Sequence, residues 1–478
     1  MPTTPPPTSV TATSPRYSLP GWTGSIGVAR SDITAPIGIR MRNWGYGDAD
    51  LSTGVHGGLT LTALALRDSE SSGTSDASLV ITADLGWWRT MEDEGQVRGA
   101  VLDATGLAAD RVLLHLTHTH AGPSICREDA DLLGGEPVPG YLDALAAAAA
   151  DAAGRAIADL QRADLVWSAG THGLAAVRDL THDGQALLGF DPEQDPDQTL
   201  IVGRASRSDG TLLATIVNYA CHPTTLGYDN SHLSPDYVGP MRDVVESHTG
   251  APCVFLQGAS GELGPRQQYS GELELADRHG ASLGHAVLGV LLAMPAPGTD
   301  LELDDIIQSG APLAIWDPVP ASWDGTASRL HREVPVEVKA LPPIEDLERD
   351  WADIDPRSRA ERLRRATRLR RTYADMGKPV HPLWVWRFGD AVFVAHPGEA
   401  YSALQSTLRA RFPDTTIVVM NLTNGPGWVY LPPEHAYHED RYQAWQTVLQ
   451  AGSLERLIAA ADAAIVELGF TATAEVAS

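Results

Sequence analysis

Cysteine is scarce in this 478-residue chain: Cys126, Cys221 and Cys253 are its three, too few for a disulfide framework. Basic residues are in deficit, 35 against 61 acidic, and the formal charge of −26 leaves no electrostatic footprint for a nucleic acid or an anionic membrane. A run of about 18 apolar residues, the length that crosses a bilayer, is missing; the longest apolar stretch, 286–294, reads as part of a buried helix. The first twenty residues are rich in Pro, Thr and Ser and lack the basic and apolar regions of a signal peptide, so 1–20 reads as a disordered tail. These absences predict a cytoplasmic protein with no membrane anchor and no nucleic-acid partner.

What is present is an ordinary globular composition, 43% hydrophobic. Short apolar runs flanked by turn residues predict buried strands at 79–83, 112–116, 212–218, 254–257, 392–395 and 416–420. Helical patterns cover 141–160, 272–292 and 442–468. The mixture predicts an α/β fold. A charged stretch at 344–376, with Pro356 between two helical segments and a basic cluster at 362–371, reads as a solvated, salt-bridged helical pair in preference to a ligand site. No linker cuts the chain, so 21–478 reads as one catalytic domain.

Four segments carry candidate chemistry. His118-Thr119-His120 follows the apolar run 112–116, and on an extended backbone residues i and i+2 share a face, which would aim both imidazoles into one pocket. His222 follows the run 212–217 and precedes Pro223, which restricts its backbone. Glu399 ends His396-Pro397-Gly398-Glu399 after the run 392–395, where a buried carboxylate is costly unless paired or bound to a cation. The fourth is the aromatic run Trp428-Val429-Tyr430-Leu431, followed by Tyr437 and Tyr442. Imidazoles and a carboxylate at strand ends suit a metal, and zinc first among metals.

Taken in order, these segments resemble the neutral ceramidases and their shorter bacterial relatives. Ile26-Gly27-Val28-Ala29-Arg30-Ser31-Asp32-Ile33-Thr34 is similar to the family's start, Thr82-Ala83-Asp84-Leu85-Gly86 to its first core strand, and Thr117-His118-Thr119-His120-Ala121-Gly122-Pro123 to its hallmark. The resemblance implies an α/β fold of central mixed β-sheets layered with helices. It also implies one zinc ion held by His118, His222, Glu399 and Tyr430, with a one- or two-residue slip moving the last match to Val429 or Trp428. His120 would sit beside the metal and shuttle a proton, and Tyr442 would point its hydroxyl at the reacting carbonyl.

One departure matters. The loop Gln257-Gly258-Ala259-Ser260-Gly261-Glu262-Leu263-Gly264-Pro265-Arg266 resembles the family loop that carries a serine just before a proline, and here that position is Gly264. The reading therefore favours attack by zinc-activated water, with Ser260 a nearby alternative nucleophile, on a small amide or ester in preference to ceramide. Glu262 and Arg266 are candidate substrate contacts, or an exposed ion pair. Asp236, in Ser234-Pro235-Asp236-Tyr237, serves a turn or supports the site from behind, Asp84 is a candidate to orient His118 or His120, and Cys221 reads as core. Rival readings are another strand-end metallohydrolase, disfavoured by Gly122 and Pro123 where a further aspartate and histidine would be needed, and an inactive relative that keeps the pocket for binding.

Overall fold

A computed structural model describes residues 14–473 except 42, 48, 72, 375–377 and 426–428. Residues 1–13 of the expected tail, Met376 and Trp428 lie outside the described residues. Within the described part of that segment a short strand forms. Arg16–Tyr17 pair with Leu301 and Glu302, and the Arg16 guanidinium binds Asp300 at 2.8 Å.

Eight strands make the larger sheet: β1 (Gly21–Asp32), β2 (Thr60–Asp68), β3 (Ser78–Ala83), β4 (Val112–Leu116), β5 (Gln161–Thr171), β6 (Thr199–Ser206), β7 (Leu212–Tyr219) and β8 (Cys253–Gln257). Their order is β8-β7-β6-β5-β1-β2-β3-β4, antiparallel except for the parallel pairs β7–β8 and β3–β4 at the two edges. A second sheet runs β9 (Ala327–Pro335), β10 (Val380–Phe388), β11 (Ala391–Ala395) and β12 (Thr416–Met420), with β11 and β12 parallel. All six predicted strands are among these twelve. Alternation along them builds two cores at once, because successive side chains leave opposite faces. Leu64, Leu66, Val80, Leu113 and Trp167 face Trp384, Trp386, Phe388 and Phe393 of the second sheet, whereas Ala63, Ala65, Leu79, Ile81 and Leu114 face the helices behind.

Helices cover the outer faces. α1 (Met91–Thr105) packs on α2 (Val138–Ala158), which lies on β1 and β2; α3 (Val238–Thr249) packs on α4 (Leu273–Ala293), which lies on β5 and β6. The charged stretch forms α5 (Ile344–Asp350) and α6 (Pro356–Leu369), with Pro356 opening α6 at its first turn, where a missing N–H costs nothing. α7 (Ala403–Arg411) packs on the last helix. The pattern predicted as one helix over 442–468 is two, α8 (Tyr442–Gln446) and α9 (Ser453–Glu467), separated at Gly452, whose φ of +87° suits glycine and breaks the helical path.

The fold positions the site by tying strand ends together. β4 and β8 are opposite edges of the large sheet, yet the Gln257 N–H donates to His115 Nε2 at 2.9 Å, and Thr82 Oγ1 donates to the Phe255 carbonyl at 2.9 Å. The end of β12 joins them: the Asn421 N–H reaches the Gln257 carbonyl at 3.1 Å and the Asn424 N–H the Leu114 carbonyl at 2.9 Å. The segments that leave β4, β7 and β11 are thus held together before any side chain chemistry begins.

Candidate metal centre and its cavity

His118, His222 and Glu399 leave three different strand ends and meet. Nε2 of His118 and Nε2 of His222 each lie 3.1 Å from Glu399 Oε2. The far nitrogen of each ring is already committed. His118 Nδ1 donates to the Gly86 carbonyl at 3.1 Å, and His222 Nδ1 donates to the carbonyls of Ser260 at 2.6 Å and Leu263 at 3.1 Å. A carbonyl can only accept, so both Nδ1 atoms carry a proton and the Nε2 atoms are the ones that face the carboxylate. Burial and the neighbouring Arg178 push His222 down to about 3, so its ring is neutral. Burial opposes the ionisation of Glu399, but the two histidines bonded to it hold its carboxyl well below the usual range. Two imidazole nitrogens and an anionic oxygen that face one another in a buried site could hold a divalent cation.

His118 does not get there as the sequence pattern predicted. Its φ is +74°, so the backbone past β4 is left-handed, not extended, and His118 and His120 do not share a face by strand alternation. They converge through this turn, with ring centroids 4.9 Å apart. One ring nitrogen from each of His118, His120 and His222 lies within 4.8 Å of the other two, a group that could hold a metal ion. Among the described residues neither nitrogen of His120 has a hydrogen-bond partner, although the ring is wedged between Trp44 and Trp87 at 5.0 and 4.9 Å. Burial, with the other histidines, holds it well below the ordinary histidine range.

Tyr430 arrives beside Glu399 through a two-residue parallel ladder, Glu399 with Tyr430 and Ala400 with Leu431. That register places Tyr430, and not Val429, at the centre: its ring stacks on His222 at 6.4 Å, its hydroxyl accepts from Arg178 Nη2 at 3.3 Å, and Val429 is core. Tyr442 packs edge-on against Tyr430 at 5.8 Å, its hydroxyl accepting from Arg365 Nη1 at 3.0 Å.

No family model matches the sequence, and no curated protein does. Solved structures do match. The neutral ceramidase from Pseudomonas aeruginosa is similar with a TM-score of 0.66 at 17% identity, over 96% of this chain and 77% of that one. A ceramidase complexed with C2 is similar with a TM-score of 0.65 at 15% identity and the same coverage. This chain has the neutral ceramidase fold. The likeness bears out, for the architecture, what the ordered motifs implied.

Within this ceramidase fold several candidates take other work. Asp84 does not reach an imidazole; it accepts from Arg242 at 3.0 and 2.5 Å and from the Thr60 N–H at 2.8 Å, pinning α3 to the sheet. Carbonyls, not a carboxylate, orient the two ligand-like histidines. Asp236 is buried in a left-handed turn and accepts from the Leu226 and Tyr237 N–H groups, away from the centre, with burial pushing it up to about 6. Glu262 holds the Ser402 N–H at 2.9 and 3.0 Å ahead of α7, and Arg266 is exposed with its guanidinium 6.0 Å from the Phe190 ring, so neither lines the cavity and they do not pair. Ser260 Oγ accepts from Gln257 Nε2 at 2.7 Å, while its carbonyl holds His222. Cys221 is core, as expected. At Gly264 a Cβ would sit 2.8 Å from Gln268 Oε1 and 3.4 Å from Arg178 Cδ; the serine-like position points at the site, and Gln268 fills the space.

Arg178, which no motif announced, is the chief omission of the sequence reading. Fully buried, it donates through Nη2 to His222 Nε2 at 3.0 Å, to the Gly261 carbonyl at 2.9 Å and to the Tyr430 hydroxyl at 3.3 Å. The one local mark was a charged pair, Arg178-Asp179, directly after the apolar triplet Ala175–Val177. The charged pair α5–α6 is not a purely solvated surface either. It roofs a cavity of about 980 Å³ whose floor is His118, His120, Glu399 and Tyr430 and whose walls include Trp44, Trp87, Trp351 and Trp445. Ion pairs hold α6 in that place, and apolar positions such as Leu369 turn inward.

Proposed function

We propose that the protein is a zinc-dependent hydrolase that cleaves an amide or ester bond of a small molecule with activated water. The observation that carries this reading is the convergence of two Nε2 atoms, each at 3.1 Å, on one Glu399 oxygen. His118, His222 and Glu399 would hold the ion, with the Tyr430 hydroxyl as the fourth donor, the set that the resemblance of the sequence motifs to the neutral ceramidases implies. When bound, zinc supplies the Lewis acidity that makes water a nucleophile at neutral pH.

The remaining steps belong to the chain. His120 has two nitrogens without a partner among the described residues and a neutral ring, so it can take the proton from the attacking water and return it to the leaving amine or alcohol. Arg365 donates to the Tyr442 hydroxyl, which leaves the Tyr442 proton free to point at the oxyanion of the tetrahedral intermediate. Trp44 and Trp87 exclude bulk water around His120. No hydroxyl stands at Gly264, and Ser260 is tied to Gln257, so the water attacks directly.

One contact favours a second reading, a metal-free binding protein: Arg178 Nη2 occupies the same His222 nitrogen that a metal needs. Metal analysis separates the two. The hydrolase reading expects about one zinc per chain, and turnover of an amide or ester panel that is lost with chelator and restored by zinc. Absence of both zinc and turnover, with Arg178 unmoved, supports the binding protein.

A further inference from the structure

The charge inside the cavity is opposite to the charge of the protein. The chain carries a formal −26, yet the ionisable side chains lining the cavity, apart from histidine and tyrosine, are Arg178, Lys339, Arg362, Arg365 and Arg370 against Glu361 and Glu399. Both carboxylates are engaged elsewhere, Glu399 with the histidines and Glu361 with Arg364 at 2.8 Å. Arg362 rests its guanidinium on the rings of Trp351 and Trp445, at 5.8 and 5.4 Å, and makes no hydrogen bond among the described residues. Arg365, one turn along, spends one N–H on Tyr442. Lys339 reaches only the carbonyls of Ala444 and Trp445, at 2.8 and 3.3 Å, and burial pulls it down to about 8.

Glu361 acts on Arg365 as well as on Arg364, which leaves Lys339, Arg362 and Arg370 with no ion pair among the described residues; a cation that loses hydration in such a cavity is costly, and the cost is offset when an anion enters beside it. A guanidinium held over two indoles, with no hydrogen bond among the described residues, keeps its N–H groups available, and a guanidinium can bind a carboxylate through two parallel bonds. We propose that the substrate of this site is an amide or ester that carries an anionic group, a carboxylate or similar oxyanion, seated against α6 by Arg362 and Arg365. Its apolar or aromatic body lies between the tryptophan walls, and its scissile carbonyl lies on the histidine floor. This inference rests on the hydrolase reading above.

The test uses matched pairs that differ in one charge. Glutaranilic acid against pentananilide places the carboxylate on the acyl side, and N-butanoylglycine against N-butanoylglycinamide places it on the amine side. With the zinc-loaded protein, the anionic member of at least one pair should show a kcat/KM about tenfold or more above its neutral partner, and its KM should rise with salt. R362Q should bring that ratio close to one, while R362K retains a preference; should R362Q not fold, R362K and R365K carry the comparison through weakened two-bond recognition. Equal or better hydrolysis of the neutral members overturns the inference and leaves the hydrolase standing. Failure to hydrolyse any member counts against the hydrolase reading instead, and calorimetry then decides the inference. Glutarate titrated into the metal-free protein should bind about tenfold more weakly to R362Q, and binding that is absent or indifferent to R362Q overturns it.

Discussion

The floor and the roof of the cavity are built by different physics. On the floor His118, His222 and Glu399 hang from strand ends, are nearly inaccessible to solvent, and are oriented by main-chain carbonyls and a short ladder. The roof hangs from ions: Arg368 on Asp129 at 2.7 Å, Arg371 on Glu128 at 2.6 Å and Arg357 on Asp50 at 2.7 Å. A metal centre tolerates errors of only tenths of an ångström, which rigid strand ends supply. Recognition of a small molecule tolerates a looser frame, so charge on a helix can set it. The comparison therefore assigns chemistry to the floor and selection to the roof.

Four measurements would break or sharpen that division. The largest effect belongs to the floor: His222→Ala should take the zinc content from about one per chain to near zero, beyond the roughly 10- to 100-fold loss of affinity typical of outer partners, as read by metal analysis. Next comes the roof's anchor. Asp129 is buried between Arg89, at 2.7 Å, and Arg368, so Asp129→Ala leaves uncompensated buried cations and should cost about 3 to 5 kcal/mol in urea unfolding. Burial opposes its ionisation, but the arginines win and hold its carboxyl down to about 2, below its ordinary 3.8. A depressed pKa contributes stability that is complete above the unfolded value and is lost as pH falls through the folded one. The wild type should therefore lose about 2 kcal/mol between about pH 4 and pH 2 that Asp129→Asn does not. Tyr442→Phe should lower kcat about 10²- to 10³-fold with zinc content unchanged, the loss expected of one oxyanion donor. Smallest is Ser260→Ala, which removes one buried hydrogen bond, about 1 kcal/mol of stability, and should leave turnover within a few-fold; a loss as large as that of His222→Ala would make Ser260 the nucleophile.

The same division explains what the sequence could and could not show. Strands buried on both faces announce themselves as apolar runs, so the ends that carry His118, His222 and Glu399 were legible from composition alone. The left-handed turn at His118 was not, because no glycine or asparagine marks it; the residue accepts the strain itself. Asp84 and Asp236 sat in motif-like surroundings but serve an ion pair and a turn, roles that spacing does not distinguish from ligand support. Glu262 and Arg266 stand four positions apart in the altered loop, yet one is buried against Ser402 and the other is exposed. Arg178 was silent because its partners lie 44, 83 and 252 positions away. The roof misled because a charged amphipathic helix over a cavity and one over solvent share the same charge pattern.

The account stands or falls on what lies between His118, His222 and Glu399. Anomalous diffraction at the zinc edge, on crystals grown with zinc, should show a single peak about 2.0 to 2.2 Å from His118 Nε2, His222 Nε2 and Glu399 Oε2, with Arg178 withdrawn from His222. A map without that peak, in which Arg178 still donates to His222, would contradict it.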